Sequence, residues 1–413
     1  MKICFLAGLY EPFIIGGTEI YVQELASRLA AKHQVTVVTS CNYTGMRSLL
    51  PSKSRVRNVD VYRFYPLNIF SSYQSFFKKA LAFQLGWVIF KLWNVHVYCV
   101  TRGILARLKP DILHVQFSSS LSLAGISAAT AMRFPTVCTL HDITNLSPKA
   151  PLVTEGKLRE FLAAPILQAY SIVCWRMMRK VARFIAHSKF MLDTNMENKY
   201  FCNATFELFP CPACVTVGKS PAKSEKKVRL LYVGQINKFK GVHLLLQAFE
   251  EIKDTDVELH IVGTGPELAT LKKLASRDPR IIFHGFVTRH ALQDFYAEAH
   301  VVIIPSLWPE PFGMVAIEAF AFGTPVIASR SGGLNEIIQE GKNGFLFTPG
   351  DVTQLRQIIE RLLRNRELIG RLGSNAINSA KRYDLDSHVR RIEALYETVL
   401  SEQPRPLSRA DCI

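Results

Sequence analysis

The sequence has no long hydrophobic run, so a membrane-spanning helix is not expected. Such a helix needs about twenty apolar residues, and the longest uncharged segment of the 413-residue chain, from Ile112 to Met132, is interrupted by His114, Gln116 and several serines. A secretory signal peptide is not expected either. Only the short run from Ile3 to Leu9 follows Lys2, and such a run is typical of a first buried strand and its turn.

Regular cysteine spacing and carboxylate clusters are also lacking. The nine cysteines are scattered, as in cytoplasmic proteins with reduced thiols. Cys211 and Cys214 form the only C-x2-C pair, and no second pair or histidine pair stands at the spacing of a zinc site. We interpret them as plain thiols in a loop. No metal and no other cofactor is expected.

Acidic residues are missing from a long stretch of the first half. Between Val61 and Pro110 there is none, and the first 220 residues carry 25 Lys and Arg against 11 Asp and Glu. The remaining residues carry 25 against 23, so nearly all of the net charge of +16 belongs to the first half. This excess favours an anionic surface or acceptor there. Nucleic acid is not expected as a partner, because no nucleic-acid-binding motif is present.

Aromatic and basic residues in the first half have two interpretations that stay open. The aromatic residues are Phe70, Phe76, Phe77, Phe83, Trp87 and Phe90, and a second basic group is Arg176, Arg179, Lys180 and Arg183. The aromatic residues are either core or a membrane-facing surface. The basic residues either solubilise the domain or bind anionic lipid. We predict a cytoplasmic protein that docks peripherally on the cytoplasmic face of the membrane.

The chain opens with the β-loop-α-β pattern of a doubly wound α/β domain. Lys2–Ala7 and Val35–Thr39 are predicted strands, and a predicted amphipathic helix runs from Thr18 through Leu29. Ligands of such domains bind at the carboxyl ends of parallel strands. Gly16 and Gly17, in the first loop, therefore lie at a ligand edge or form a plain tight turn. A chain of this length favours two domains.

The segment from Glu310 to Glu336 is predicted to form the main ligand site. Pro311 presets the first turn of a helix that begins with Phe312, Gly313 and Met314. Its N-terminus favours a diphosphate, and Gly313 leaves room for the ligand to approach. Glu318, predicted to lie two turns inside, is expected about 12 Å from Glu310. Two carboxylates can each hold vicinal hydroxyls, one set on a sugar and one on a ribose.

This segment closely resembles the signature of retaining glycosyltransferases of the fourth family, which have the GT-B architecture. Further matches are G-G-T-E at Gly16, H-D at His141, V-G-Q-I-N-K-F-K-G at Val233 and V-G-T-G-P at Val262. The resemblance implies two Rossmann-like domains facing across a cleft, with the nucleotide sugar on the second. The predicted ranges are 1–216, a linker at 217–227, 228–385, and a last helix with tail at 386–413 that crosses back to the first domain.

The resemblance also implies roles for individual residues. Glu310 contacts the donor sugar, Glu318 the ribose, and His141 the sugar as a second active-site residue. The implied donor-binding residues are Gly16, Gly17, Gln235, Lys240, Gly263, Val287, Phe312, Gly313, Met314, Val315 and Glu318. For His141 a strand cap is the alternative, and for Lys240 a solvated turn.

Two departures from the family pattern stand out. Gln235 replaces the arginine that usually grips the diphosphate, which leaves Lys240 and nearby Lys238 for that task. Pro210-Cys-Pro212 replaces a usual asparagine-glycine turn.

The predicted function is retaining, metal-independent transfer of a sugar, as by a hexosyltransferase. The donor is a nucleotide diphosphosugar, and the acceptor is a glycan or a lipid-linked molecule in cell-surface polysaccharide or glycolipid synthesis. Two alternatives stay open: a nucleotide-sugar epimerase or hydrolase of the same fold, and a sugar-nucleotide-binding protein without turnover.

Overall fold

A computed structural model describes residues 1–14, 16–67, 93–117, 121, 123–143, 172–197, 201–215, 223 and 226–402. The chain divides into two compact units. Unit 1 consists of Met1–His187, Met191–Phe209 and Asp386–Ile413, and unit 2 of Ser188–Phe190 and Pro210–Leu385. Each unit is an α/β fold around its own sheet, as the sequence predicts.

Unit 1 is built on an eight-stranded sheet in the order β3-β4-β2-β1-β5-β6-β7-β8. The strands are β1 Lys2–Leu6, β2 Gln34–Ser40, β3 Ser52–Val56, β4 Val59–Phe64, β5 Ile112–Phe117, β6 Thr136–Leu140, β7 Arg183–Ala186 and β8 Phe206–Leu208. The exposed edge strand β3 runs antiparallel to β4, and the other pairs are parallel. Strands β5 and β6 are buried along their whole length, which explains their apolar sequences.

The helices of this part of the chain are α1 Gly17–Leu29, α2 Val95–Leu108, α3 Leu123–Ala131 and α4 Lys189–Met196, and residues 172–178 are also helical. Sequence signals account for their starts. The Glu19 carboxylate accepts the backbone N–H of Gly16, the N-cap of α1, at 2.8 Å. Asn94 caps α2 by accepting the Val97 N–H at 3.0 Å.

Unit 2 is built on a six-stranded parallel sheet in the order β11-β10-β9-β12-β13-β14. The strands are β9 Val228–Val233, β10 Val257–Val262, β11 Ile281–Gly285, β12 Val301–Ile304, β13 Val326–Ser329 and β14 Gly344–Phe347. The helices are α5 Val242–Glu250, α6 Leu268–Leu274, α7 Arg289–Glu298, α8 Met314–Ala321, α9 Leu334–Ile337, α10 Val352–Arg364 and α11 Arg366–Ala380. Short 3-10 turns lie at Met46–Leu49, Lys238–Lys240, Ala275–Arg277 and Lys381–Tyr383.

The last helix, α12 Leu385–Ser401, belongs to unit 1 from Asp386 onward. Arg28 on α1 forms an ion pair with Asp386 at 2.8 Å, and the buried Tyr396 hydroxyl lies 2.6 Å from His114 Nδ1 on β5. The apolar pattern from Val352 to Leu372 belongs to two helices, because Asn365 ends α10 and caps α11 by accepting the Leu368 N–H.

The division between the units comes at Phe209, earlier than the predicted linker at 217–227. The reason is that residues 210–214 already pack with unit 2. Cys211 and Cys214 are buried there, and the Ala213 N–H donates to the Tyr383 carbonyl at 2.8 Å. Of the linker, residues 217–222 and 224–225 lie outside the described ranges. The Lys223 ammonium donates to the Gly323 carbonyl and the Thr324 hydroxyl, and its burial lowers its pKa to about 8.

Some of the residues behind the membrane-docking prediction lie outside the described ranges. The six Phe and Trp residues from Phe70 to Phe90 lie outside the described residues. Among the residues that the structure describes, no helix combines the length and apolar character that a bilayer crossing requires.

Candidate active site

The loop from Pro305 to Gly313 connects β12 to α8 and carries Glu310. The helix begins at Met314, so the prediction that Phe312 and Gly313 start it is wrong. Gly313 has a φ of +122°, which interrupts helical geometry, and Phe312 is buried against Tyr383 instead. Glu318 therefore lies little more than one turn inside α8, and the 12 Å estimate, which assumes helical rise throughout, does not apply.

Glu310 is held by a cation and a hydroxyl. Its Oε1 accepts from the Lys240 ammonium at 2.7 Å and from the Ser306 hydroxyl. Lys240 closes the turn Lys238–Lys240, which Asn237 caps by accepting the Lys240 N–H. The ion pair joins residues 70 positions apart. Sequence analysis assigns Lys240 to a diphosphate, whereas here its partner is Glu310.

The segment that follows β13 holds the backbone of the Glu310 loop in place. The Gly333 N–H donates to the Glu310 carbonyl at 2.8 Å, and Ser331 donates to the Trp308 carbonyl. A Cβ on Gly332 would come within 2.3 Å of the Glu310 carbonyl oxygen. These glycines therefore let the segment after β13 approach the backbone of the Glu310 loop closely. Likewise, a Cβ on Gly313 would come within 2.6 Å of the Leu334 side chain.

Glu318 lies in a different environment from Glu310. Its side chain is buried, and its Oε2 accepts from the Tyr296 hydroxyl on α7 at 2.8 Å. Burial raises the pKa of Glu318, although the Tyr296 hydrogen bond and the charge of Arg289 act in the opposite direction. Burial, Cys214 and Glu318 in turn raise the pKa of the Cys211 thiol. Within the described ranges, no three His, Cys, Asp or Glu side chains could together hold a metal ion.

Glycine-bearing loops follow β9 and β10. Gly234 and Gly263 have φ values of +151° and +141°, and a Cβ on Gly263 would come within 1.8 Å of the Gly234 carbonyl oxygen. The two loops therefore pack backbone against backbone. Gln235, which stands for the usual arginine, accepts from the Tyr232 hydroxyl through its carbonyl and from the Asn237 amide through its side chain.

The sheet topology brings the predicted residues of unit 2 to one edge. Gln235, Gly263, Val287 and Glu310 follow β9, β10, β11 and β12, which are neighbours in a parallel sheet. The carboxyl ends of parallel strands are where ligands of open α/β sheets bind. Met314 and Val315 lie in the first turn of α8, where backbone N–H groups have no helical acceptor.

In unit 1, His141 directly follows β6. Its Nε2 lies 2.7 Å from the Oε1 of Gln116, and its ring packs 5.4 Å from Tyr21 and 5.3 Å from His187. Burial holds the pKa of His141 well below its usual value, and His187 and His114 lower it further. Gly16 and Gly17 lie at the start of α1, in a capped turn; a ligand contact there stays a prediction.

Sequence analysis assigns no role to several residues that the structure places at these sites. The Glu336 carboxylate accepts the N–H groups of Lys189 and Phe190, both at 2.7 Å, and the neighbouring Ser188 hydroxyl donates to the Pro311 carbonyl. The signal for Glu336 was its place at the end of the glutamate segment. The only sequence signal for Gln116 is its place near the end of a strand. Nothing in the sequence indicates that its side chain contacts His141.

Comparison with known proteins decides the family. Residues 15–210 match the family model described as Glycosyltransferase Family 4, and residues 217–379 match Glycosyl transferases group 1. The chain belongs to the family 4 glycosyltransferases. An uncharacterized glycosyltransferase of Methanocaldococcus jannaschii is 27% identical over 398 residues, covering 92% of this chain and 93% of that protein.

Two solved structures show the same GT-B fold as this glycosyltransferase. Sucrose-phosphate synthase from Thermosynechococcus elongatus has a TM-score of 0.76 at 20% identity, over 97% of this chain and 99% of that one. The Anabaena protein HepE, solved with UDP and glucose, has a TM-score of 0.67 at 22% identity, over 97% and 100%. The predicted family and fold are thus confirmed.

Proposed function

We propose that this glycosyltransferase moves a sugar from a nucleotide diphosphosugar to a glycan or lipid-linked acceptor, with retention at the anomeric carbon. The observation that carries the proposal is the Glu310 carboxylate. It is paired with Lys240 at the carboxyl edge of the unit 2 sheet and lies in the loop that leads into α8, which begins at Met314. A carboxylate, a cation and free helix N–H groups are the groups that a sugar hydroxyl and a diphosphate need.

A nucleotide diphosphosugar is the donor that suits this edge best. The HepE structure, which shares the fold, holds UDP and glucose. In the proposed reaction, Lys240 and the first turn of α8 would neutralise the leaving diphosphate without a metal. For Lys240 to bind the diphosphate, its ion pair with Glu310 has to loosen, which frees the Glu310 carboxylate for the sugar hydroxyls.

Glu318 is the proposed ribose-binding residue. It is buried beside Tyr296, so a ribose hydroxyl reaching it would meet a carboxyl group shielded from water. Hydrogen bonds in such surroundings are stronger than at an exposed site. Gln235, which carries no charge, would contribute hydrogen bonds in place of the usual ion pair.

The proposed acceptor is membrane-proximal, and cell-surface polysaccharide or glycolipid synthesis is the proposed setting. Arg176 and Lys180 are exposed in unit 1, as are the apolar side chains of Met46 and Trp93. Basic and apolar side chains together favour binding to an anionic lipid surface. Arg183 contributes less than predicted, because it forms an ion pair with Glu402.

A donor screen tests this function. Thermal shift with UDP-, GDP- and ADP-linked sugars identifies the donor, because a ligand at about 100 Kd stabilises the folded protein by roughly 2.7 kcal/mol. The radiolabelled donor is then incubated with membrane vesicles. Transfer of label that survives EDTA, with the donor's anomeric configuration in the product, is the expected result.

Other outcomes identify the alternatives. Release of free sugar, or an isomerised nucleotide sugar without acceptor, would indicate a hydrolase or an epimerase. Binding with no turnover would indicate a sugar-nucleotide-binding protein. If none of the nucleotide sugars stabilises the protein, the proposed donor class is wrong.

A further inference from the structure

A glutamine that belongs to no predicted site lies beside His141 in unit 1. Gln116 is on β5, paired in register with Thr139 of β6, and His141 follows that strand. The side chain of Gln116 is only 2% exposed, and its Oε1 lies 2.7 Å from His141 Nε2.

The amide nitrogen of Gln116 is sealed from solvent and has no hydrogen-bond partner among the described residues. A buried N–H group without a partner destabilises a fold, because it loses its hydration and gains nothing in exchange. Leucine, which has a similar volume, would avoid this cost at the same position. The glutamine is therefore better explained by a ligand than by packing.

The contact between the two side chains also fixes the protonation of His141. Because the Gln116 oxygen only accepts hydrogen bonds, His141 Nε2 carries the proton and Nδ1 is left with its lone pair. We find no hydrogen bond to Nδ1 within the described part of the chain. The pair thus offers one donor, the Gln116 amide, and one acceptor, His141 Nδ1. A hydroxyl group can accept from the first and donate to the second.

We propose that Gln116 is a sugar-binding residue of unit 1, whose amide N–H donates to a sugar oxygen and whose carbonyl orients His141 to accept from a sugar hydroxyl. This inference rests on the proposed function and deepens it. The hydroxyl belongs to either the donor sugar or the acceptor sugar, and the experiment distinguishes the two.

The surroundings keep His141 neutral. The titratable groups around it are Tyr21 on α1, His114 on β5 and His187 after β7, with His388 and Tyr396 of α12 packed behind them. Burial lowers the pKa of His114 to about 3 and that of His187 to about 4. Burial lowers the pKa of His141 as well, and the nearby His187 and His114 lower it further, so the ring stays neutral.

Three variants test the proposal in the full-length protein. Gln116→Leu removes both polar atoms, and Gln116→Glu keeps the acceptor but adds a charge. Thr101→Val is the matched control: Thr101 on α2 is buried, and its hydroxyl likewise has no partner among the described residues. Chemical denaturation of each variant shows whether the fold is intact.

Calorimetric titrations compare UDP-glucose, GDP-mannose and ADP-glucose with the bare nucleotide diphosphates. If the oxygen is on the donor sugar, Gln116→Leu weakens binding of the preferred nucleotide sugar about tenfold, the size of one lost hydrogen bond. Its affinity for the bare nucleotide should change less than about twofold. Slow hydrolysis of the donor without acceptor should fall in parallel.

If the oxygen is on the acceptor, donor affinity and hydrolysis stay at wild-type values, and the KM for acceptor vesicles rises about tenfold in Gln116→Leu. Either pattern supports the proposal, provided that Thr101→Val behaves as wild type in the same assays. Unchanged kinetics and affinities in Gln116→Leu, with or without a change in stability, would overturn it.

The Gln116→Glu variant adds a measurement that should not change if Gln116 only fills space in the core. A carboxylate beside Nε2 raises the pKa of His141, so the protonated ring loses its acceptor at Nδ1. The acidic limb of the kcat/KM profile should therefore move to higher pH in Gln116→Glu, and an unmoved profile would contradict the orienting role. If wild type itself binds no nucleotide sugar, the proposed function fails, whereas normal turnover by both variants defeats the Gln116 proposal alone.

Discussion

At the scale of single residues, Glu310 and Glu318 have the same side chain in two different surroundings. Glu310 is partly exposed and paired with Lys240, so it stays available for exchange with a polar ligand. Glu318 is buried against Tyr296, and burial raises its pKa. The sequence identified both positions, but their partners come from other strands and helices and follow from the fold alone.

Lys240 is the residue whose removal tests the neutralisation of the diphosphate. We expect Lys240→Met to lower kcat about 100-fold, the usual effect of losing one preorganised charge-stabilising donor. Steady-state kinetics with the identified donor measure this. Lys272→Met, which removes an exposed lysine on α6, is the control and should behave as wild type. A wild-type kcat in Lys240→Met would show that another group stabilises the leaving group.

At the scale of elements, the loop before α8 is held by segments that sequence analysis left without a role. Ser188 donates to the Pro311 carbonyl, and Glu336 accepts from the two N–H groups that follow Ser188. Gly333 holds the Glu310 carbonyl from the other side. These contacts fix the backbone on both sides of Glu310.

Ser188→Ala should therefore disturb catalysis without weakening nucleotide binding. The lost hydrogen bond is worth about 0.5 to 1.5 kcal/mol, so we expect kcat to fall up to about tenfold while the Kd for the bare nucleotide diphosphate is unchanged. Ser374→Ala, which removes a hydroxyl bound within α11, is the matched control. Equal losses of kcat and nucleotide affinity in Ser188→Ala would contradict a local effect on Glu310.

The histidines buried in unit 1 make its stability depend on pH. His114 and His187 have pKa values lowered to about 3 and about 4 by burial, whereas both return to about 6.5 when the chain unfolds. The unfolded state therefore binds more protons, and stability, complete above pH 6.5, is lost as the pH falls towards 4. Each histidine lowers the free energy of unfolding by about 1.4 kcal/mol per pH unit in this window.

Urea unfolding between pH 7.5 and 4.5 measures this dependence, and His114→Gln should show a shallower loss on acidification than wild type. His290, which is exposed on α7, provides the control variant His290→Gln with an unchanged slope. Parallel curves for His114→Gln and wild type would rule out a contribution from this histidine.

Element positions followed well from sequence where burial is continuous. The bounds of β5 and β6 can be read from the sequence, because their residues are buried throughout. Predictions failed where the backbone conformation of a single residue determines where a helix begins or ends. The φ of Gly313 delays the start of α8, and the Asn365 cap divides one apolar pattern into two helices. Neither feature changes the hydrophobic periodicity on which the predictions rest.

At the scale of the whole molecule, the uneven charge is the strongest remaining indication of a partner. The first 220 residues carry 25 basic against 11 acidic residues. The family resemblance named the candidate site residues of unit 2, and four of them follow neighbouring parallel strands. The pairing of Gln116 with His141 could not, since it depends on the register of β5 with β6.

The charge excess predicts binding to anionic vesicles at low salt. Replacing Arg176 and Lys180 by glutamate should weaken this binding, because each basic residue near such a surface contributes on the order of 1 kcal/mol. Co-sedimentation with anionic and neutral vesicles measures it. Glutamate at Lys342 and Arg364, two exposed positions of unit 2, makes the same change in charge as a control. If the wild-type protein does not bind anionic vesicles at low salt, the membrane-docking proposal is wrong.

The division of labour between Glu310 and Glu318 is tested most directly by titrating both variants with the bare nucleotide diphosphate and with the complete nucleotide sugar. Glu310→Gln should bind the bare nucleotide as wild type does and nearly abolish transfer. Glu318→Ala should lose about 1.5 to 3 kcal/mol of affinity for the bare nucleotide, the value of a buried charge-assisted hydrogen bond. Equal losses of bare-nucleotide affinity in the two variants would contradict the account.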